Sequence, residues 1–102
     1  MANSRLQLDS ILRGIIGSGH LYFQPPETVK MSYPCIVYKL TDSDTKYANN
    51  LPYMYSKAYQ VTVIDRNPDS EFPDKVARLP MCRFARFFTA DNLNHYVFIL
   101  YY

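Results

Sequence analysis

The sequence contains no tryptophan, two cysteines, two histidines and three glycines in 102 residues. The shortage of glycine, with no low-complexity tract and nearly half of the residues hydrophobic, argues against disorder, because such a chain has enough apolar surface to pack. Cys35 and Cys82 lie far apart, each in an apolar run where a free thiol behaves as a small hydrophobe. With no secretory signal, reduced thiols are expected. Neither sign of charge dominates: eleven lysines and arginines face nine acids, a net +2. The cations are spread along the chain, so the electrostatic footprint that governs nucleic-acid affinity is missing, although incidental contact with DNA stays open. No run approaches the about 20 apolar residues that span a bilayer, and Met1 to Arg5 lack the apolar stretch of a signal peptide. These absences predict a soluble cytosolic chain with no membrane partner.

The chemical motifs are equally sparse. No C-x-x-C, paired-histidine, G-x-G-x-x-G or phosphate-loop pattern occurs. His20 sits in a glycine-rich turn and His95 opens a strand, so structural roles are expected for both. Gly17-Ser18-Gly19 follows a helix, whereas a phosphate-binding turn must precede one so that the anion meets the positive helix end. The sequence therefore predicts no catalytic residues, no metal and no cofactor. One segment, Arg83-Phe84-Ala85-Arg86-Phe87-Phe88, interleaves cations with aromatics as base-stacking strands do, and supports an alternative reading as a small nucleic-acid-binding module. A sheet with a partly covered back needs the same pattern, with Phe84 and Phe88 inward and Arg83 and Phe87 outward.

What is present is a single domain, residues 1–102, rich in tyrosine: ten, against six phenylalanines. Tyrosine favours half-buried strand positions and also suits subunit interfaces, where one end is dry and the other wet. Ser4 and Gln7 have capping-box spacing, and Leu6, Leu8, Ile11, Leu12, Ile15 and Ile16 recur at three- and four-residue steps, which predicts a helix ending at Gly17. Leu21-Tyr22-Phe23 is a short edge or connector cut off by Pro25-Pro26. Residues 34–40 read as a buried strand, residues 42–52 as a long exposed loop or hairpin tip, and residues 53–65 as a long alternating strand. Ser70 can cap a short helix whose buried side is Phe72, Val76 and Leu79 and which Pro80 ends. Two aromatic strands, 81–88 and 94–102, close the chain as a hairpin.

The expected fold class is α+β: an antiparallel sheet with an N-terminal helix and a second short helix on one face, in the order α-β-β-β-α-β-β. The last strand is apolar on both sides, with Tyr96, Phe98, Leu100 and Tyr102 pointing one way and Val97, Ile99 and Tyr101 the other. A one-sided sheet would leave part of that surface open, which predicts that another polypeptide covers it.

Tyr33-Pro34-Cys35-Ile36-Val37-Tyr38, the run 59–65 ending Val63-Ile64-Asp65, and the 70–79 helix, all following an N-terminal helix, resemble the tail-terminator and tail-completion (neck) proteins of long-tailed bacteriophages. That resemblance implies a structural virion protein assembled in the host cytoplasm. It would be a subunit of a homo-oligomeric ring, commonly six-fold, that caps the tail tube at its head-facing end. Its partners would be the tube protein and the neck or connector proteins; another head-tail joining or minor tail component is the neighbouring alternative. The candidate contact residues are then Asp42, Asp44, Lys46, Tyr47, Asn49, Asn50 and Tyr53 of the polar segment and its exit, with Tyr96, Phe98, Tyr101 and Tyr102 of the final strand.

Overall fold

The computed structural model describes residues 5–17, 20–26, 30–48 and 51–101, with backbone alone for 42–48 and 51–57. Its elements follow the predicted order: α1 (Arg5–Ile16), β1 (Leu21–Phe23), β2 (Cys35–Ala48), β3 (Leu51–Asp65), α2 (Phe72–Ala77), β4 (Cys82–Ala90) and β5 (Leu93–Tyr101). The five strands form one sheet in the order β1-β2-β3-β5-β4. All pairings are antiparallel except β1 with β2, which run parallel.

The helix face holds the main core. Leu8, Leu12 and Ile16, spaced four residues apart on α1, and Val76 of α2 pack on Ile36, Tyr38, Tyr59, Val61, Val63, Phe98 and Leu100 of the sheet. The buried stripe of α1 is narrower than its periodicity predicts, because Leu6 and Ile11 are exposed. Gly17 ends the helix at φ 75°, its N–H donating to the Arg13 carbonyl at 2.9 Å, a conformation that glycine adopts without steric cost. The predicted Ser4 cap lies outside the described residues. Before α2, Asp65 Oδ1 accepts the Asn67 N–H, Asn67 Oδ1 accepts the Asp69 N–H, and Ser70 Oγ accepts the Phe72 N–H at 3.3 Å. These side chains satisfy backbone donors through the turn that the sequence marks out.

The opposite face is partly covered by the chain itself. Parallel neighbours require a crossover, and the segment between β1 and β2 lays Met31 and Tyr33, with Tyr22 and Val37, against Cys35, Ile64 and Leu93. This cover reaches β5 at Leu93, and with β5 lying between β3 and β4 and its helix side in the main core, no residue of the strand from Leu93 to Tyr101 is exposed. Phe98, Leu100 and Val97 are buried, and Tyr96, Ile99 and Tyr101 are half-buried. The expectation that β5 carries the open apolar surface is thus corrected, because β5 is an interior strand; the uncovered surface belongs to β4, outside it.

Two further corrections concern strand geometry. Residues 42–48 and 51–52 of the expected loop or hairpin tip are strand: β2 and β3 stay paired from Asp42 opposite Ala58 to Ala48 opposite Leu51, while Asn49 and Asn50 lie outside the described residues. Among the described residues, only β3 from Ala58 onward also pairs with β5, so the outer part is a two-stranded ribbon about 23 Å long at ~3.3 Å per residue. It draws the molecule out to 50 × 24 × 23 Å. In β4, a register shift between Phe84 and Arg86 inserts Ala85 as an extra residue. Phe84 and Phe87 therefore share the helix side, opposite Phe98 and Tyr96, while Phe88 joins Arg83 and Arg86 on the back, reversing the predicted placing of Phe87 and Phe88.

A polar cluster fixes α1 on the sheet. The buried Tyr38 donates its hydroxyl hydrogen to Asp9 Oδ2 at 2.6 Å and accepts from Arg5 Nη1 at 3.1 Å, while Arg13 Nε donates to Asp9 Oδ1 at 3.0 Å. The Arg5 guanidinium also lies 4.4 Å from the centroid of the Phe23 ring. Burial of the Asp9 carboxylate acts to raise its pKa, but the hydrogen bonds from Tyr38 and Arg13 and the two arginine charges outweigh it, so Asp9 titrates below its usual 3.8. A depressed carboxylate stabilises the fold above the unfolded pKa and loses that contribution as pH falls through the folded one. Accordingly Tyr38→Phe lowers stability by about 1–2 kcal/mol at neutral pH in urea unfolding. The difference between wild type and Asp9→Asn shrinks when the same titration is repeated below pH 4; a gap that widens in acid contradicts the assignment.

Candidate interaction surface

β4 is the edge strand, and its exposed residues set it apart. Met81 is 71% exposed, Phe84 55%, Phe87 50% and Phe88 38%, with Arg83 and Arg86 exposed between them. Each ring leans on a β5 partner: Phe84 edge-on to Phe98 at 5.6 Å, Phe87 tilted against Tyr96 at 5.0 Å, and Phe88 stacked on the His95 imidazole at 4.6 Å. The rings are thereby ordered on one side and open on the other. Both faces of the strand and one row of its backbone groups are available to a partner.

Two short helices explain the opening. α1 is about 18 Å long and α2 about 9 Å at ~1.5 Å per residue, and together they cover β2, β3 and β5 but leave the outer half of β4 bare. At the start of β4, the turn through Pro80 and Met81, the α1 residues Leu8 and Ile11, and Leu100 of β5 line an apolar pocket of about 230 Å³. Met81 belongs to both the pocket and the exposed strip, so the apolar surface continues from the edge strand toward α1.

The predicted contact residues fall into three groups. Asp42, Asp44, Lys46, Tyr47 and Tyr53 lie on the β2–β3 ribbon by backbone register, while Asn49, Asn50 and Tyr102 lie outside the described residues. Tyr96 and Tyr101 are half-buried on β5, each next to an exposed residue: Tyr96 under Phe87, and Tyr101 with its N–H on the Met81 carbonyl at 3.1 Å. Phe98 is 2% exposed and is a core residue, held there because β3 and β4 flank it. Met81, Phe84, Phe87 and Phe88 were not singled out as contact residues. The arginine-aromatic pattern marked the strand, but only its position at the edge reveals its exposure.

Both histidines contact a backbone carbonyl. Nδ1 of His20 lies 3.0 Å from the Pro34 carbonyl, and Nδ1 of His95 lies 3.2 Å from the Leu93 carbonyl. Burial, with a smaller push from the Asp65 charge, raises the Cys35 thiol to about 12, and burial raises Cys82 as well. Both thiols are free and protonated at neutral pH, the opposite of an activated nucleophile. Among the described residues, no group of three metal-ligating side chains is assembled, and no helix is long and apolar enough to cross a membrane.

Phe98→Ala is expected to cost about 3–5 kcal/mol in chemical unfolding and Phe87→Ala about 1 kcal/mol or less, since one empties the core and the other removes a half-solvated ring. Equal losses contradict the division between core and open edge. Iodoacetamide at neutral pH is expected to label Cys35 and Cys82 in the native protein far more slowly than in the urea-unfolded chain. No protein-family model matches this chain, and no curated protein matches it in sequence.

Proposed function

We propose that this chain is a structural virion protein, a non-catalytic subunit of a ring that terminates a bacteriophage tail tube and joins it to the head-neck connector. The observation that carries the reading is the open β4 edge, with its row of exposed aromatics. A strand of this kind is a hazard in a free monomer and an asset in an assembly, where a neighbour completes the sheet and buries the rings. The element order supports the reading, since a helix, a Tyr-Pro strand, a long strand, a short helix and a closing hairpin are the features the resemblance carries. The ribbon supports it too. Two strands alone are marginally stable in water, and a projecting pair gains stability by lying on another surface.

A second reading has one observation in its favour: Arg86 lies 5.7 Å from the Phe88 ring centroid on an exposed strand, a combination that suits stacked bases. The two readings separate in solution. Light scattering of the purified chain, alone and with tail-tube protein, is expected to show a closed oligomer or a joint assembly, and a strict monomer in both conditions overturns the ring. DNA affinity that is tight at low salt and falls steeply as salt rises supports the second reading instead.

A further inference from the structure

We propose that neighbouring copies join head to tail, the β4 edge of one copy adding to the β2 leg of the next copy's ribbon, with Arg83 and Arg86 set against Asp42 and Asp44. This rests on the assembly reading above and names its contact. Three features of the chain select the pairing.

The first is which edges are open. β1 spans only Leu21–Phe23, Gln24 bonds β2 just beyond it through its N–H to Tyr38 and its Oε1 to the Leu40 N–H, and Pro25-Pro26 follow. That end of the sheet offers no long edge. Long edges remain along β4 and along the two legs of the ribbon, where residues 42–48 and 51–57 pair only with each other among the described strands. The second is proline. The β3 leg contains Pro52, which lacks a donor, whereas the β2 leg from Asp42 to Ala48 contains none.

The third is charge. β4 carries Arg83 and Arg86 and no acid. The extra residue Ala85 places both arginines on one side, opposite Ile99 and Val97 of β5; without it they would fall on opposite sides. The β2 leg carries Asp42 and Asp44 at alternate positions ahead of Lys46, whereas the β3 leg carries Lys57 and no acid. Pairing β4 with β4 of a second copy would bring arginines together, while pairing it with the β2 leg brings cations to carboxylates. Because the two edges differ, the contact is heterologous, the kind that builds a ring when the rotation between copies closes.

The test uses two double variants of the full chain, Arg83→Asp/Arg86→Asp and Asp42→Arg/Asp44→Arg, under the condition in which the wild type assembles. Each variant alone would have like charges at every contact, and its half-assembly concentration is expected to rise roughly a hundredfold or more. An equimolar mixture restores complementary charges at both kinds of contact, so sedimentation velocity should show assembly recovering toward wild type. Recovery on mixing cannot come from two misfolded proteins, and circular dichroism of each variant checks the fold separately. If both variants assemble like wild type, or stay folded but fail to recover on mixing, the β4-to-ribbon contact is wrong while the ring itself stands. A wild type that never assembles, alone or with tube protein, removes the contact and the proposed function together.

Discussion

The constraint on which the molecule depends is the amount of sheet that two short helices can cover. A twelve-residue helix and a six-residue helix lie on a sheet whose longest strands run to 14 and 15 residues. The helices are placed where the apolar side chains of β2, β3 and β5 converge, and Tyr59, Val61, Val63, Phe98 and Leu100 disappear beneath them. The cover gives out in two directions: sideways at β4, and lengthwise where β2 and β3 run on as a ribbon. Both proposed contact surfaces lie where helix cover ends.

The position of α1 therefore matters more than its length. Leu8, Leu12 and Ile16 supply the burial, but a stripe of interchangeable leucines and isoleucines can slide along a sheet at little cost. The hydrogen bonds linking Tyr38, Asp9, Arg5 and Arg13 are directional, and they tie more than two turns of α1 to one residue of β2. The cluster adds modestly to stability because part of it meets solvent; both arginines are more than a third exposed at their side chains. Its larger effect is to hold α1 across the β2 side of the sheet, which leaves the β4 side open.

Much of the fold is legible in the sequence because burial imposes a period. The three- and four-residue recurrence of α1, the apolar run of β2 and the alternation of β3 through Val61 and Val63 each state which face is covered. The closing hairpin is legible for a different reason: Asp91 and Asn92 both take positive φ, 54° and 62°, as a tight two-residue turn demands. Where burial ends, so does legibility. The segment around Asp42, Asp44 and Lys46 reads as a loop or hairpin tip because a ribbon beyond the core needs no apolar alternation. The bulge at Ala85 leaves no mark in composition, yet it exchanges the faces of Phe87 and Phe88. The apolar pattern of β5 correctly signals a strand with two covered sides, but a linear sequence does not say whether the cover comes from the same chain or another. Here α1 and α2 cover the helix side, β3 and β4 flank the strand, and the exposed rings lie one strand outward on β4.

β4 carries opposing features that make sense only together. A bulge and two exposed arginines are devices that discourage an edge strand from pairing with its own kind, since they twist the edge and set like charges face to face. Three exposed phenylalanines act in the other direction, since each leaves apolar surface in water that a partner would remove. A strand that merely had to stay single would carry the arginines without the phenylalanines, and one that paired indiscriminately would carry the phenylalanines without the arginines. Having both favours a strand that accepts one partner and refuses its twin. The proposed ring would use such a contact, since in it every subunit offers two different surfaces and no two copies meet through the same one.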